Sequence, residues 1–121
     1  NETLREINFG RWENRSFEEI YRHEREAMEE WFRLKDQFTF PNGENISDFS
    51  LRIKNWFVKL QNERYKSVLV VSHAGVIRHA LVHLLGFDTS RADQFEIAEG
   101  SVSLISIDRG FSVLKFLNKT W

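Results

Sequence analysis

An α/β fold is predicted for this 121-residue chain by three observations. Helical periodicity runs through its first half, a continuous β-branched apolar run occupies residues 67–72, and a tight turn and another helix follow that run without a linker. The charges divide in the same way. Residues 1–66 carry 25 of the 35 charged side chains, so the first part reads as solvated helix and the second as buried sheet. The length suits a single domain, residues 1–121, that buries a core without disulfides or metals. With 41% hydrophobic residues, the chain reads as globular.

The first helix starts at Ser16, which can cap the backbone while Glu19, three residues on, reaches back to it. Ile20, Glu24, Ala27, Met28 and Trp31 recur at helical intervals, giving one surface helix that ends near Leu34 or Lys35. Phe40-Pro41-Asn42-Gly43-Glu44-Asn45 holds the only Pro and a Gly suited to positive φ, so a loop belongs there. Ser47-Asp48 then supplies a cap and an acidic first turn for a second helix, with Phe49, Ile53, Trp56, Phe57 and Leu60 on one face.

Ser67-Val68-Leu69-Val70-Val71-Ser72 lacks alternation, as expected of a central parallel strand covered on both faces. Helical spacing resumes over Val76, Ile77, Ala80, Leu81, Leu84 and Leu85, and Gly86 stops it. Finally, residues 102–107 and 111–116 flank Asp108-Arg109-Gly110, which reads as a hairpin with a short Gly-containing loop.

Composition removes several function classes. The formal charge of -1 gives no global electrostatic attraction to nucleic acid or to an anionic membrane surface, and neither partner is expected. Absence of Cys excludes disulfides, thiolate metal sites and cysteine nucleophiles, and fits a reducing cytoplasm, the expected location. No apolar stretch approaches the roughly 20 residues of a membrane span. The segment Asn1-Glu2-Thr3-Leu4-Arg5-Glu6 has neither region of a secretory signal, and with no initiator Met the chain reads as a processed product or a piece of something longer. The chain also lacks a serine-hydrolase elbow and a Gly-rich nucleotide loop. Its many aromatics fall mostly at helical spacings, so packing is the expectation rather than base stacking.

Two residues stand out chemically. His73 ends the apolar run and opens a turn into a helix, where open α/β sheets place ligands; Gly75 permits close backbone approach and the helix start offers N–H groups to an anion such as phosphate. From the local pattern alone, a hydrogen-bonded strand-end histidine is an equal reading. Glu6, between apolar positions and a Gly, could serve as a general acid, although a surface carboxylate is the commoner outcome. His79 and His83, four apart, have the spacing of helical metal ligands. No Glu in metalloprotease order and no third ligand accompanies them, so no metal site is expected and they read as the polar edge of an apolar helix.

Three stretches together resemble the histidine phosphatase superfamily in order and spacing. They are Leu4-Arg5-Glu6-Ile7-Asn8-Phe9-Gly10-Arg11-Trp12-Glu13, the run 40–45 with Arg52 following, and Val70-Val71-Ser72-His73-Ala74-Gly75-Val76-Ile77-Arg78. The look is nearest to α-ribazole phosphatase and the fructose-2,6-bisphosphatase branch, with cofactor-dependent phosphoglycerate mutases as relatives. The resemblance implies a three-layer α/β/α, phosphoglycerate-mutase-like sheet and hydrolysis of a small phosphorylated metabolite, for example α-ribazole 5′-phosphate, through a phosphohistidine intermediate. It implies no cofactor and no metal. Glu6 is then the acid and later the base, and His73 lies in the phosphate pocket, with Ala74 and Asn45 beside it as substrate-binding residues. Glu44, Arg52 and Ser72 are implied as supporting residues.

Two departures accompany the likeness. The family's Arg-His-Gly signature, which supplies the nucleophilic histidine, occurs nowhere in the chain, so the resemblance is to the C-terminal portion of such an enzyme, without its N-terminal strands. His23, His79 and His83 lie in helical patterns and do not replace it. Asn14 also stands where Gly commonly follows the Trp-Glu pair, and Ala74 where Gly often follows the His. A phosphoglycerate mutase or sugar-bisphosphatase relative, or a non-catalytic phosphate-binding module, are the alternative readings. Either an N-terminal segment or a second copy of the chain is expected to cover the apolar strand edge, which is otherwise prone to aggregation.

Overall fold

Ser16 caps a helix as the sequence predicts: its Oγ accepts from the Glu19 N–H (3.2 Å) while the Glu19 carboxylate accepts from the Ser16 N–H (3.4 Å). In the computed structural model, which describes residues 1–121, helix α1 (Phe17–His23) is followed at once by α2 (Arg25–Leu34). One continuous helix was expected here. Glu24 interrupts it at φ -136°, because its side chain serves partners outside the helix, as described below. The chain turns out of α2 through Lys35 at φ 53° and a short 3₁₀ turn, 35–37.

Helix α3 (Ile46–Gln61) has a different cap from the one predicted. Asn45, not Ser47, accepts through Oδ1 from the N–H groups of Ser47 (2.9 Å) and Asp48 (3.2 Å). Ser47 instead donates through Oγ to the Asp36 carbonyl (2.7 Å). Asn45 Nδ2 donates to the Gln37 carbonyl (3.1 Å) and Thr39 Oγ1 (2.9 Å), so a single amide closes the 37–48 loop. Asn45→Ala is expected to lower stability by about 1–2 kcal/mol, the cost of losing a cap, read from the urea midpoint. In the loop before it, the positive φ belongs to Asn42 (57°) rather than Gly43. Gly43 is required sterically: a Cβ there would collide with the Asn8 carbonyl oxygen.

Two compact units divide the chain, residues 7–52 and residues 1–6 with 53–121. The core of the first is aromatic. Trp12, Phe38 and Phe40 are buried and pack with centroids 5.2–5.6 Å apart, and Trp31 joins them at 5.6–6.2 Å. Ile20, Met28 and Phe49 complete it.

In the other unit, helix α4 (Ala74–Leu85) buries Val76, His79, Ala80, Leu81 and Val82 and stops at Gly86, which has φ 73°. His79 is therefore buried, not part of a polar edge as expected. Strands β1 (Val102–Asp108) and β2 (Phe111–Lys119) form an antiparallel hairpin. Arg109 and Gly110 both have positive φ, 50° and 77°, matching the two-residue turn whose twist suits flanking strands.

The main departure is at residues 67–72. This segment is not a ladder strand, and its side chains are not covered on both faces: Leu69 is 84% and Val71 87% exposed. The hairpin is the one sheet present, and it is largely exposed rather than buried. The physical reason is common to both. An apolar strand is buried only when neighbours pair with it, and no other segment among residues 1–121 pairs with 67–72.

Candidate active site

Glu6 and His73, 67 positions apart, are brought to the same place by two hydrogen bonds. Ser72 Oγ donates to the Leu4 carbonyl (2.7 Å), and the Gly75 N–H donates to Glu6 Oε2 (3.0 Å). The first bond ties the extended segment before His73 to the end of the 3₁₀ turn Glu2–Leu4. The second uses an N–H from the first turn of α4, which has no partner within the helix and carries partial positive charge, to hold the half-buried carboxylate. Gly75 is needed for this approach, since a Cβ at that position would collide with Glu6 Oε1.

His73 is the N-cap of α4, with extended backbone (φ -106°, ψ 161°), and its side chain makes no capping hydrogen bond. The imidazole is exposed and borders a groove of about 650 Å³ that Leu4, Arg5, Trp56, Leu60 and Tyr65 also line. A histidine, a carboxylate and a helix N-terminus are thus assembled, a set able to bind an anion and move a proton. Ser72, His73 and Ala74 stand with Glu6 in this unit, whereas Asn45, grouped with His73 and Ala74 in the sequence reading, belongs to the other.

Glu44, Asn45 and Arg52 lie in the unit formed by residues 7–52. Glu44 accepts from Arg52 Nε (2.7 Å) and Nη2 (3.1 Å) and from the Asn8 N–H (3.2 Å), and Arg52 also stacks on the Phe49 ring. All three residues brace the loop and the start of α3.

Sequence reading missed the strongest charge cluster. Glu24 accepts from Arg11, from Arg15 Nη1 (2.6 Å) and from Trp12 Nε1 (3.2 Å). The signal was a carboxylate inside the otherwise apolar stripe of Ile20, Ala27, Met28 and Trp31. Hydrogen bonds from Arg11, then Arg15, hold the Glu24 carboxyl below its ordinary value of 4.5. A depressed carboxylate contributes stability that is present above its unfolded value and lost as pH falls through the folded one. Glu24→Gln is therefore expected to lower the unfolding midpoint most at neutral pH, with the gap to wild type narrowing as pH falls below about 4.5. A gap independent of pH would assign the loss to packing instead.

Asn14, where the family more often has Gly, adopts φ 58°. Asn is the non-glycine residue that most readily takes this left-handed conformation, so the departure is conformationally neutral.

Residues 1–120 match the profile of the Histidine phosphatase superfamily (branch 1). The chain is 30% identical over 116 residues to the Adenosylcobalamin/alpha-ribazole phosphatase of Escherichia coli (strain K12), covering 95% of this chain and 57% of that protein. It is 28% identical to Phosphoserine phosphatase 1 of Hydrogenobacter thermophilus, covering 95% of this chain and 55% of the relative. Among solved structures, the Alpha-ribazole Phosphatase from Shigella flexneri superposes with a TM-score of 0.87 at 29% identity, over 97% of this chain and 58% of that one. The chain thus spans rather more than half the length of these relatives. Its α/β fold is the phosphoglycerate-mutase-like one that the resemblance implied. No helix is long and apolar enough to cross a membrane. By its sequence profile, its superposition and its motifs, the chain belongs to the histidine phosphatase superfamily, branch 1.

Proposed function

We propose that the complete protein containing this chain is a metal-independent phosphomonoester hydrolase acting on a small phosphorylated metabolite in the cytoplasm. One observation carries the reading: the Glu6 carboxylate is fixed by the Gly75 amide at the start of the helix that His73 caps. In the reaction, a nucleophilic histidine from outside residues 1–121 attacks phosphorus, and the P–O bond to the leaving group breaks. Glu6 gives its proton to that departing oxygen. Glu6 then takes a proton from water as the water attacks the phosphohistidine, releasing inorganic phosphate and restoring both residues. His73, with the Ala74 amide, donates to the phosphoryl oxygens, where negative charge grows in the transition state. Ser72 positions both through Leu4. Asn45, Glu44 and Arg52 engage polar groups within their own unit, where they hold the loop and the start of α3.

α-Ribazole 5′-phosphate is the first substrate to test and phosphoserine the second, after the activities for which the two relatives are named. A non-catalytic phosphate-binding module is the second reading, supported by the exposed His73 at the helix N-terminus, a feature that binds an anion without turning it over. The discriminating experiment expresses the complete open reading frame, measures its intact mass under denaturing conditions, and assays phosphate release from both substrates with and without a chelator. Release unaffected by the chelator supports the hydrolase. Phosphate binding without turnover by a species of 14.4 kDa supports the module.

A further inference from the structure

Glu24 interrupts the helix between α1 and α2 and holds two arginines rather than one. Arg11 donates to Oε1 through Nε (3.2 Å) and Nη2, and Arg15 donates to Oε2 through Nη1 (2.6 Å). Two guanidinium charges are thus fixed on the two oxygens of a single carboxylate, which neutralises one of them and leaves the cluster positive. The neighbouring acids do not pair with it. Glu13 accepts from the Phe9 N–H (3.0 Å) and Glu19 from the Ser16 N–H (3.4 Å), and neither bridges to Arg11 or Arg15. The last turn of α1 adds Arg22 and His23 immediately before Glu24. We propose that Arg11 and Arg15 form a binding site for a small phosphate-class oxyanion, with Glu24 as the brace that orients both guanidinium forks.

The donors available identify the ligand. A guanidinium carries five N–H groups. Arg11 commits two of its own and Arg15 one, all to Glu24, and no acceptor in the structure takes the remainder. They are within reach of a ligand, since the Arg11 side chain is 55% exposed and that of Arg15 26%. Both arginines are also held in place. The Arg11 N–H donates to the Pro41 carbonyl (2.8 Å), the Arg15 N–H to the Trp12 carbonyl (3.3 Å), and Trp12 Nε1 holds Glu24 from a third side (3.2 Å). Ordering that an isolated surface arginine would lose on binding has therefore already been lost. A neutral or cationic ligand gains nothing from spare donors in a positive field. A planar carboxylate presents one edge, which matches one fork, whereas a phosphate presents several oxygens and up to two charges and can accept from both. Arg11, Trp12, Arg15 and Glu24 all belong to the unit of residues 7–52, and Glu6 and His73 to the other, so the site stands whether or not the proposed hydrolysis does.

The test titrates inorganic phosphate into the isotopically labelled complete protein and follows the Trp12 Nε1–H and the Arg11 and Arg15 Nε–H resonances by NMR. Sodium chloride at matched ionic strength is the second arm. Phosphate should shift these resonances together and saturably, and chloride should not, because screening acts on exposed charges without saturating a site. His73→Ala, which removes the imidazole at the start of α4, should leave the shifts unchanged. Arg11→Gln should weaken binding by about tenfold or more, and Arg11→Lys, which keeps the charge without the fork, by less. Non-saturating shifts, equal shifts in chloride, loss of the shifts in His73→Ala, or unchanged affinity in Arg11→Gln would each overturn the proposal. The two wild-type titrations decide the matter where Arg11→Gln does not fold. Because turnover is never read, failure of this site and failure of the phosphatase reading are separate outcomes.

Discussion

If the complete protein is the proposed hydrolase, His73→Ala and Glu6→Gln are each expected to reduce kcat by about 10²–10⁴, with the unfolding midpoint little changed. The two losses have different physical origins. In the proposed mechanism, removing the imidazole deletes a donor to phosphoryl oxygens whose charge grows in the transition state; Glu6→Gln keeps the shape and a hydrogen bond from Gly75 but has no proton to give the leaving oxygen. A leaving group with a low pKa departs without protonation, so a nitrophenyl phosphate should recover much of the Glu6→Gln loss and little of the His73→Ala loss. Gly75→Ala belongs to the same experiment. Its added methyl displaces the Glu6 carboxylate, so it should resemble Glu6→Gln in this leaving-group dependence though the Glu6 and His73 side chains both remain. Wild-type turnover in either His73→Ala or Glu6→Gln would remove that residue from the mechanism.

Trp12→Ala is expected to destabilise by about 3–5 kcal/mol, the range for truncating a large buried aromatic. Trp12 is 4% exposed and touches the rings of Trp31, Phe38 and Phe40. Its Nε1–H donates to Glu24, so truncation leaves a cavity and removes one donor from a carboxylate already committed to two arginines. Trp12→Phe fills most of the space and removes the donor, and should cost markedly less. Equal losses in the two variants, measured from urea midpoints, would mean that the hydrogen bond outweighs the packing.

Local rules were legible wherever neighbours in sequence satisfy one another. The Ser16 capping box, the Gly86 stop and the turn at 109–110 each depend on side chains and dihedrals within a few residues, and each formed as expected. Reading failed where a residue's partner is distant. Glu24 fits a helical stripe by spacing, and nothing in its neighbours says that Arg11 and Arg15 will draw it out of the helix. Ser47 precedes an acid as a cap should, yet Asn45 can satisfy two amides and two acceptors and takes the position.

The site divides along the same line. Sequence determined which residue types are present and in what order: a carboxylate in Leu4-Arg5-Glu6, a histidine opening a helix, and a Gly two residues later. That sufficed for the family, because motif order survives without coordinates. Only the tertiary structure decided that the Gly75 amide grips Glu6 and that Ser72 anchors Leu4, contacts across 69 and 68 residues. It also decided the state of residues 67–72. An apolar β-branched run announces a buried strand, but burial is a property of the neighbours, and no segment among residues 1–121 pairs with this one.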